Sequence, residues 1–366
     1  MDFTRDEGQD AVAEVVVSLL EHEPARDIEL WPKLVDSGLL SVALPERFGG
    51  DGMGLPEVAV LLTELATEAV AVPAVSTLGF GLLPLLAMLP DSVAERVFPE
   101  VAKGAVLTAA LSEPANPFVV KPETTASVCL QGARNGTAVS EGDSVRITGH
   151  KVAVPYAEQA RWLLIPTNSG IALVESDAEG LTLTPSPVSG GIPECSVRLD
   201  QVEIPAERLL PGGIAELHRF AVAAIGSVAD GLLKGALALT AEHVRTRRQF
   251  NRPLAEFQAV AQQIADVYVV SRTLHAAAVS ANWALAQDDA GTAHQERIDD
   301  DLDVLAYTVA SELPAAMQKC HHLHGGLGVD ITHPMHRYYS QAKDIARWLG
   351  GESFRLDRLG ARCSST

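Results

Sequence analysis

Residues 214–250, IAELHRFAVAAIGSVADGLLKGALALTAEHVRTRRQF, contain no proline and carry apolar residues at helical spacing. The stretch is long enough for about ten helical turns. A helix of that length needs neighbours to cover its apolar face. The sequence supplies them: 254–289 after an Asn-Arg-Pro break, 300–324, and 333–350 are each long and amphipathic. Four such helices in succession predict an antiparallel four-helix bundle over 211–366.

The first 105 residues also have helical texture. GQDAVAEVVVSLLEH is amphipathic, and PERFGGDGMG, with four glycines, predicts tight turns between two further helices. Between them and the bundle, 106–210 changes to short β-rich runs such as VLTAALSE, RWLLIPT and SVRLDQVEIP. RNG, EGD and TNSG predict hairpin turns. The fold class is therefore α+β: an N-terminal helical domain (1–105), a middle antiparallel β-barrel or sandwich (106–210) and the C-terminal bundle (211–366).

A formal net charge of -19 excludes a nucleic-acid partner and disfavours an anionic membrane surface. The apolar STLGFGLLPLLAMLP is short and broken by prolines, so it predicts a buried helix pair, not a membrane span. Cys129, Cys195, Cys320 and Cys363 lie far apart with no CxxC and predict free thiols. With the polar N-terminus MDFTRDEGQD, these readings make a cytoplasmic protein the expectation.

HHLHGGLGVDITHPMHRYY, residues 321–339, packs five histidines and three glycines together. A metal site needs three or four converging ligands. His321 and His322 diverge on a helix, and no cysteine or carboxylate completes a pattern, so no metal is expected. His333 and His336 predict helix-start or surface polarity.

Two motifs carry a resemblance over essentially the whole chain. RRQFNRPLAEFQAVAQQIAD and HLHGGLGVDITHPMHRYYSQAKDI resemble, in order and separation, the paired motifs of the acyl-CoA dehydrogenase family. That resemblance implies FAD shared between subunits. One subunit holds the isoalloxazine ring on its β-domain, and its neighbour's bundle grips the adenosine and pyrophosphate end. Arg247, Gln249 and Phe250 match the gripping positions: a guanidinium fork suits pyrophosphate, and an aromatic ring can pack on adenine. Gln258 matches the family's glutamine on the next helix. Gly325 and Gly326 allow close backbone approach to the cofactor, and His322 stands where the family has a glutamine.

The departures carry as much information. The family's catalytic glutamate aligns with Leu349, followed by Gly350 and Gly351, with Glu352 three residues on. The alternative base position on the first bundle helix falls near Ala221, and neither Glu216 nor Asp230 lies within a helical turn. No catalytic residue is therefore assigned. At the ring site Ser112, Glu113 and Pro114 survive, but Ala153 replaces a tryptophan and Pro155 a threonine, which removes a hydroxyl and a backbone donor together.

The resemblance is closest to the catalytically incomplete subunit of actinobacterial α2β2 acyl-CoA dehydrogenases that shorten steroid side chains. It implies a homologous catalytic partner carrying the acyl-CoA substrate, and desaturation at the α,β carbons of a CoA thioester. A self-sufficient homomer using Glu352 or Glu113 as base, and a scaffold without chemistry, remain open at this level. Arg219, close to the expected base, could neutralise an anion or cap a surface.

Overall fold

A computed structural model describes residues 3–129, 143–287 and 291–363. The RNG turn, and all of EGD except Asp143, lie outside the described residues, as does the side chain of Cys363.

The N-terminal helices are α1 (Glu7–His22), α2 (Trp31–Asp36), α3 (Leu55–Thr67), α4 (Leu83–Met88) and α5 (Asp91–Ala102). Asp6 caps α1 by accepting the Gln9 N–H, and Glu57 reaches back to the Gly54 N–H at the start of α3. The apolar STLGFGLLPLLAMLP stretch forms a π-helical segment, Val75–Leu82, running into α4, and most of it is buried. Gly79 and Gly81 lie so close to Ala224 and Leu107 that an added Cβ would collide at 2.3 and 2.4 Å.

The middle section holds β1 (Val106–Ala109), β2 (Thr125–Cys129), β3 (Ser144–Pro155), β4 (Ala160–Thr167), β5 (Gly170–Glu175), β6 (Leu181–Ser186), β7 (Glu194–Pro205) and β8 (Leu209–Leu210). They form two four-stranded sheets, ordered β1-β4-β5-β8 and β2-β3-β7-β6. The expected antiparallel pairing holds for every pair in these sheets except β1 with β4, which is parallel. The chain leaves β1, builds part of the second sheet and returns, so β4 enters beside β1 in the same direction. TNSG makes the β4–β5 turn, with the Thr167 hydroxyl donating to the Gly170 carbonyl.

The bundle comprises α6 (Ile214–Thr246), α7 (Gln258–Leu285), α8 (Thr292–His324) and α9 (Met335–Trp348). One correction applies. The long first helix stops at Thr246, before RRQF, which instead enters a two-stranded hairpin of β9 (Arg248–Gln249) and β10 (Arg252–Pro253). These are the four expected helices, and a further helix, α10 (Gly351–Cys363), packs back on α8. Among the described helices α6 alone is long and apolar enough to cross a membrane, and 72% of that window is buried inside the protein.

The α3 and α6 backbones touch. An added Cβ at Gly231 or Gly235 would sit 2.1 Å from the Thr63 carbonyl oxygen or 2.0 Å from that of Thr67. The Tyr338 hydroxyl donates to the same Thr67 carbonyl at 2.6 Å, and the Gln341 amide to that of Ala69 at 2.9 Å. The β-layers are attached to α9 by polar contacts: Gly190 N–H to Asp344, and Arg347 and Trp348 to Glu194. Cys129, Cys195 and Cys320 are free thiols, and burial pushes the last up to about 11.

Candidate functional site

The residues singled out by the two motifs occupy two neighbouring chain reversals at one end of the bundle. In the first, Arg247 leaves the helix with extended backbone while its N–H still donates to the His243 carbonyl. Phe250 and Asn251 then occupy the turn of the β9–β10 hairpin with φ of 51° and 66°. Two consecutive left-handed residues are what a tight hairpin requires. Asn tolerates that region, whereas for Phe it costs about 1–2 kcal/mol. The strained Phe250 is 85% exposed, and its ring stands edge-to-face with Phe257 at 6.2 Å between centroids. Arg247 and Gln249 are also exposed, and among the described residues the Arg247 side chain has no hydrogen-bond or ion-pair partner. Gln258 is the exposed first residue of α7.

In the second reversal α8 ends at His324, and Gly325 closes it with φ 59° and ψ -136°, a conformation that demands glycine. An added Cβ at Gly325 or Gly326 would meet nothing within 4 Å, so both present bare backbone to open space. His322 is exposed beside them, and its carbonyl accepts the Gly325 N–H.

A histidine stack joins the two reversals. His243, one turn from the end of α6, lies flat on His324 at 4.4 Å, and His324 packs at a tilt on His333 at 4.9 Å. The buried His324 Nε2 lies 3.3 Å from the Thr240 hydroxyl. Burial, then repulsion from the neighbouring histidines, pulls His324 down to about 4. His243 and His333 are lowered for the same first reason. Stacked neutral rings therefore hold the ends of α6 and α8 together. His333 also accepts the Met335 N–H at the start of α9, as expected for helix-start polarity, and His336 bonds the His333 carbonyl at 2.6 Å. Sequence reasoning missed His243, whose partner lies 81 positions away. His321 stacks on Tyr339. Among the described residues no group of three or more His, Cys, Asp or Glu could hold a metal ion.

The β-domain positions where the resemblance expects the flavin ring lie on β3. Ala153 sits in a bulge of β3 with φ 53°, and Pro155 is buried with its carbonyl accepting the Thr108 hydroxyl at 2.6 Å. Beside them Lys151 Nζ donates to Glu113 at 2.7 Å, both groups buried. Burial alone would raise the Glu113 pKa. The Lys151 ammonium, the Thr124 hydroxyl and the Glu123 N–H outweigh it and hold the carboxylate down at about 2. For Lys151 burial wins, and its pKa is lowered despite the pair. Glu113 is thus a fully engaged structural anion, unsuited to accept a substrate proton.

The positions matching the family's bases are apolar or solvent-facing. Leu349 is buried, and its carbonyl accepts the Arg355 Nε at 2.6 Å. Ala221 is buried in α6, and Glu352 is exposed in the first turn of α10. Arg219, left open above, forms a fork with Asp299 (2.7 and 3.1 Å) and also bonds Glu216 and Gln295, tying α6 to α8.

Comparison with known proteins agrees with this architecture. The N-terminal-domain model of acyl-CoA dehydrogenases matches residues 2–105 and the C-terminal-domain model residues 216–362. The Mycobacterium tuberculosis acyl-CoA dehydrogenase FadE28 is 45% identical over 368 aligned positions, covering 100% of both chains, and FadE27 of the same organism is 30% identical with equal coverage. Among solved structures, the ChsE4-ChsE5 complex from M. tuberculosis superposes with a TM-score of 0.87 at 28% identity over 100% of both chains. A variant of the Tcur3481-Tcur3483 steroid ACAD gives 0.83 at 30% identity over 98% of both. The chain belongs to the acyl-CoA dehydrogenase family.

Proposed function

We propose that this chain is the subunit without a catalytic base in a heteromeric, FAD-dependent acyl-CoA dehydrogenase. It completes the flavin site of a homologous catalytic partner, in an α2β2 assembly that desaturates a steroid side-chain CoA thioester. One observation carries the reading: the position of the family's base holds a buried leucine whose carbonyl is occupied by a guanidinium. Without a carboxylate over the substrate's α-carbon the chain cannot take up the α-proton itself.

The residues present fit one half of FAD. Arg247 would meet the pyrophosphate with two donors in a fixed fork. Phe250 would pack on adenine, and the bare backbone at Gly325 and Gly326 would allow close approach, with His322, Gln249 and Gln258 offering polar contacts at the rim. They do not fit the isoalloxazine half, because Pro155 brings neither hydroxyl nor N–H and Ala153 offers no aromatic face. When bound, the flavin supplies the hydride acceptor. In this assignment the chain itself contributes binding and orientation, while ring and base stand on the partner. The heteromeric partner and the steroid substrate draw support from the neighbours described as the ChsE4-ChsE5 complex and as a steroid ACAD.

The test is flavin stoichiometry after co-expression with a homologous catalytic subunit. The expectation is about one FAD per two chains in the complex and none on this chain alone. One FAD per chain on the isolated protein, with turnover, would overturn the assignment.

A further inference from the structure

A cavity of about 820 Å³ lies where the β-domain loops meet α6, α8 and α10. Its charge opposes that of the chain. Against a net charge of -19, five cationic side chains line it and only two carboxylates, Asp299 and Asp303. Asp299 is taken by Arg219, whose remaining contacts go to Glu216 and Gln295. Arg362 is paired outside the cavity with Asp300 at 2.5 Å. Lys121 makes no ion pair among the described residues.

Three guanidiniums crowd the buried Asp303: Arg358 at 3.3 Å, Arg362 at 3.5 Å and Arg355 at 4.0 Å. Of the three only Arg358 hydrogen-bonds the carboxylate, at Oδ1, and Asp303 Oδ2 has no hydrogen-bond partner. Arg355 is left short. It is 1% exposed, its Nε is spent on the Leu349 carbonyl, and Nη2 has no partner. The Phe118 and Phe354 rings lie 4.7 and 5.4 Å from its centre, giving cation–π support but no acceptor for the Nη edge. Burial, then repulsion from Arg358, pulls Arg355 down to about 9 against the attraction of Asp303. His218 beside it is neutral, and its buried Nε2 is also unpartnered. The remaining wall includes Phe118, Val120, Ile214, Val222 and Leu302.

We infer that this cavity binds an amphipathic anion, an oxyanion head on an apolar body, with the head on the Nη edge of Arg355 and His218 Nε2 within its reach. A guanidinium edge with a free donor suits a carboxylate or a phosphate ester. The apolar walls take the body. This rests on the reading that the base position lacks a carboxylate: Leu349 there has no charge to repel an anion drawn to Arg355, whose Nε bonds the Leu349 carbonyl.

The probes are octanoate, octyl phosphate and the neutral octanol, titrated into the purified full chain or its co-purified complex by calorimetry. Octanoate or octyl phosphate should bind at least about tenfold more tightly than octanol, the contribution of one charge-assisted contact, and the tighter of the two identifies the head group. Arg355→Gln should abolish that preference. Because Arg355 is buried and its variant could unfold, Val222→Trp, which fills the apolar wall and keeps every charge, should abolish binding of all three. Equal affinity for octanol and both anions, or unchanged anion binding in Val222→Trp, would overturn the proposal. Since the readout is binding without turnover, a wrong flavin stoichiometry would leave this result standing, and the reverse.

Discussion

Phe250 combines two costs that a free-standing chain has no reason to bear: a large apolar ring in water and a left-handed backbone. Replacing it by glycine separates them. Glycine adopts φ near 51° freely, so Phe250→Gly recovers about 1–2 kcal/mol of backbone strain. Against this stand the edge contact with Phe257, about 0.5 kcal/mol at an exposed site, and the greater freedom of glycine when unfolded, about 0.5–1 kcal/mol. The lone chain should therefore change by less than about 1 kcal/mol in urea denaturation. Flavin binding should not be spared. With 85% of the residue exposed, nearly its whole burial energy is available to a cofactor, about 1.5–3 kcal/mol, or roughly ten- to 150-fold in Kd. Titrating FAD into the apo complex by flavin fluorescence measures it. Flavin affinity within twofold of wild type would refute the assigned grip, and a stability loss above about 2 kcal/mol would show that the ring serves the fold instead.

Four further outcomes are expected. Lys151→Met leaves Glu113 buried beside Thr124 without its cation and should cost about 3–5 kcal/mol in chemical denaturation; a loss under about 1 kcal/mol would mean the pair is dispensable. His324 titrates near 4 when folded against about 6.5 unfolded, so its contribution is complete above pH 6.5 and is lost as pH falls toward 4; His324→Leu should flatten the fall in unfolding free energy between pH 7 and 5. Glu113, held at about 2, contributes fully above about 4.5 and loses that contribution as pH falls toward 2, so acid unfolding of Glu113→Gln should be shallower there than in wild type. Gly235→Ala drives a Cβ to 2.0 Å from the Thr67 carbonyl and should cost about 2–3 kcal/mol, visible as a lower Tm; an unchanged Tm would show that α3 can slide away.

What the sequence revealed and what it withheld divide along physical lines. Periodicity reports which face of an element is apolar, so the helical, β and helical sections were legible, and with them the start of α6. It does not report which element covers that face, so the parallel β1–β4 pair and the docking of α10 were not. The end of α6 was misread because Arg247, Arg248 and Gln249 are all good helix formers, and the left-handed pair at Phe250 and Asn251 wins only in the context of the hairpin. The proposed grip could be read from the sequence because its members lie in two short segments. The His243–His324 stack, the crowding of Asp303 by arginines from α10, and the Glu113–Lys151 pair join residues tens of positions apart, and no local pattern marks them.

The glycine crossing of α3 on α6 has a mechanical consequence. With the Thr63 and Thr67 carbonyls against Gly231 and Gly235, and Tyr338 and Gln341 bonded to the same segment, the N-terminal helices and the C-terminal bundle form a single girder. Neither helix can rotate without driving backbone into backbone. Any widening of the cavity beside α6 must then come from the β-layers, whose attachment to α9 consists of side-chain and single-amide bonds to Asp344 and Glu194 that can break and re-form in turn. On the other side β1 stays pinned where Leu107 packs against Gly81, so the freedom left to the β-domain lies on its α9 side.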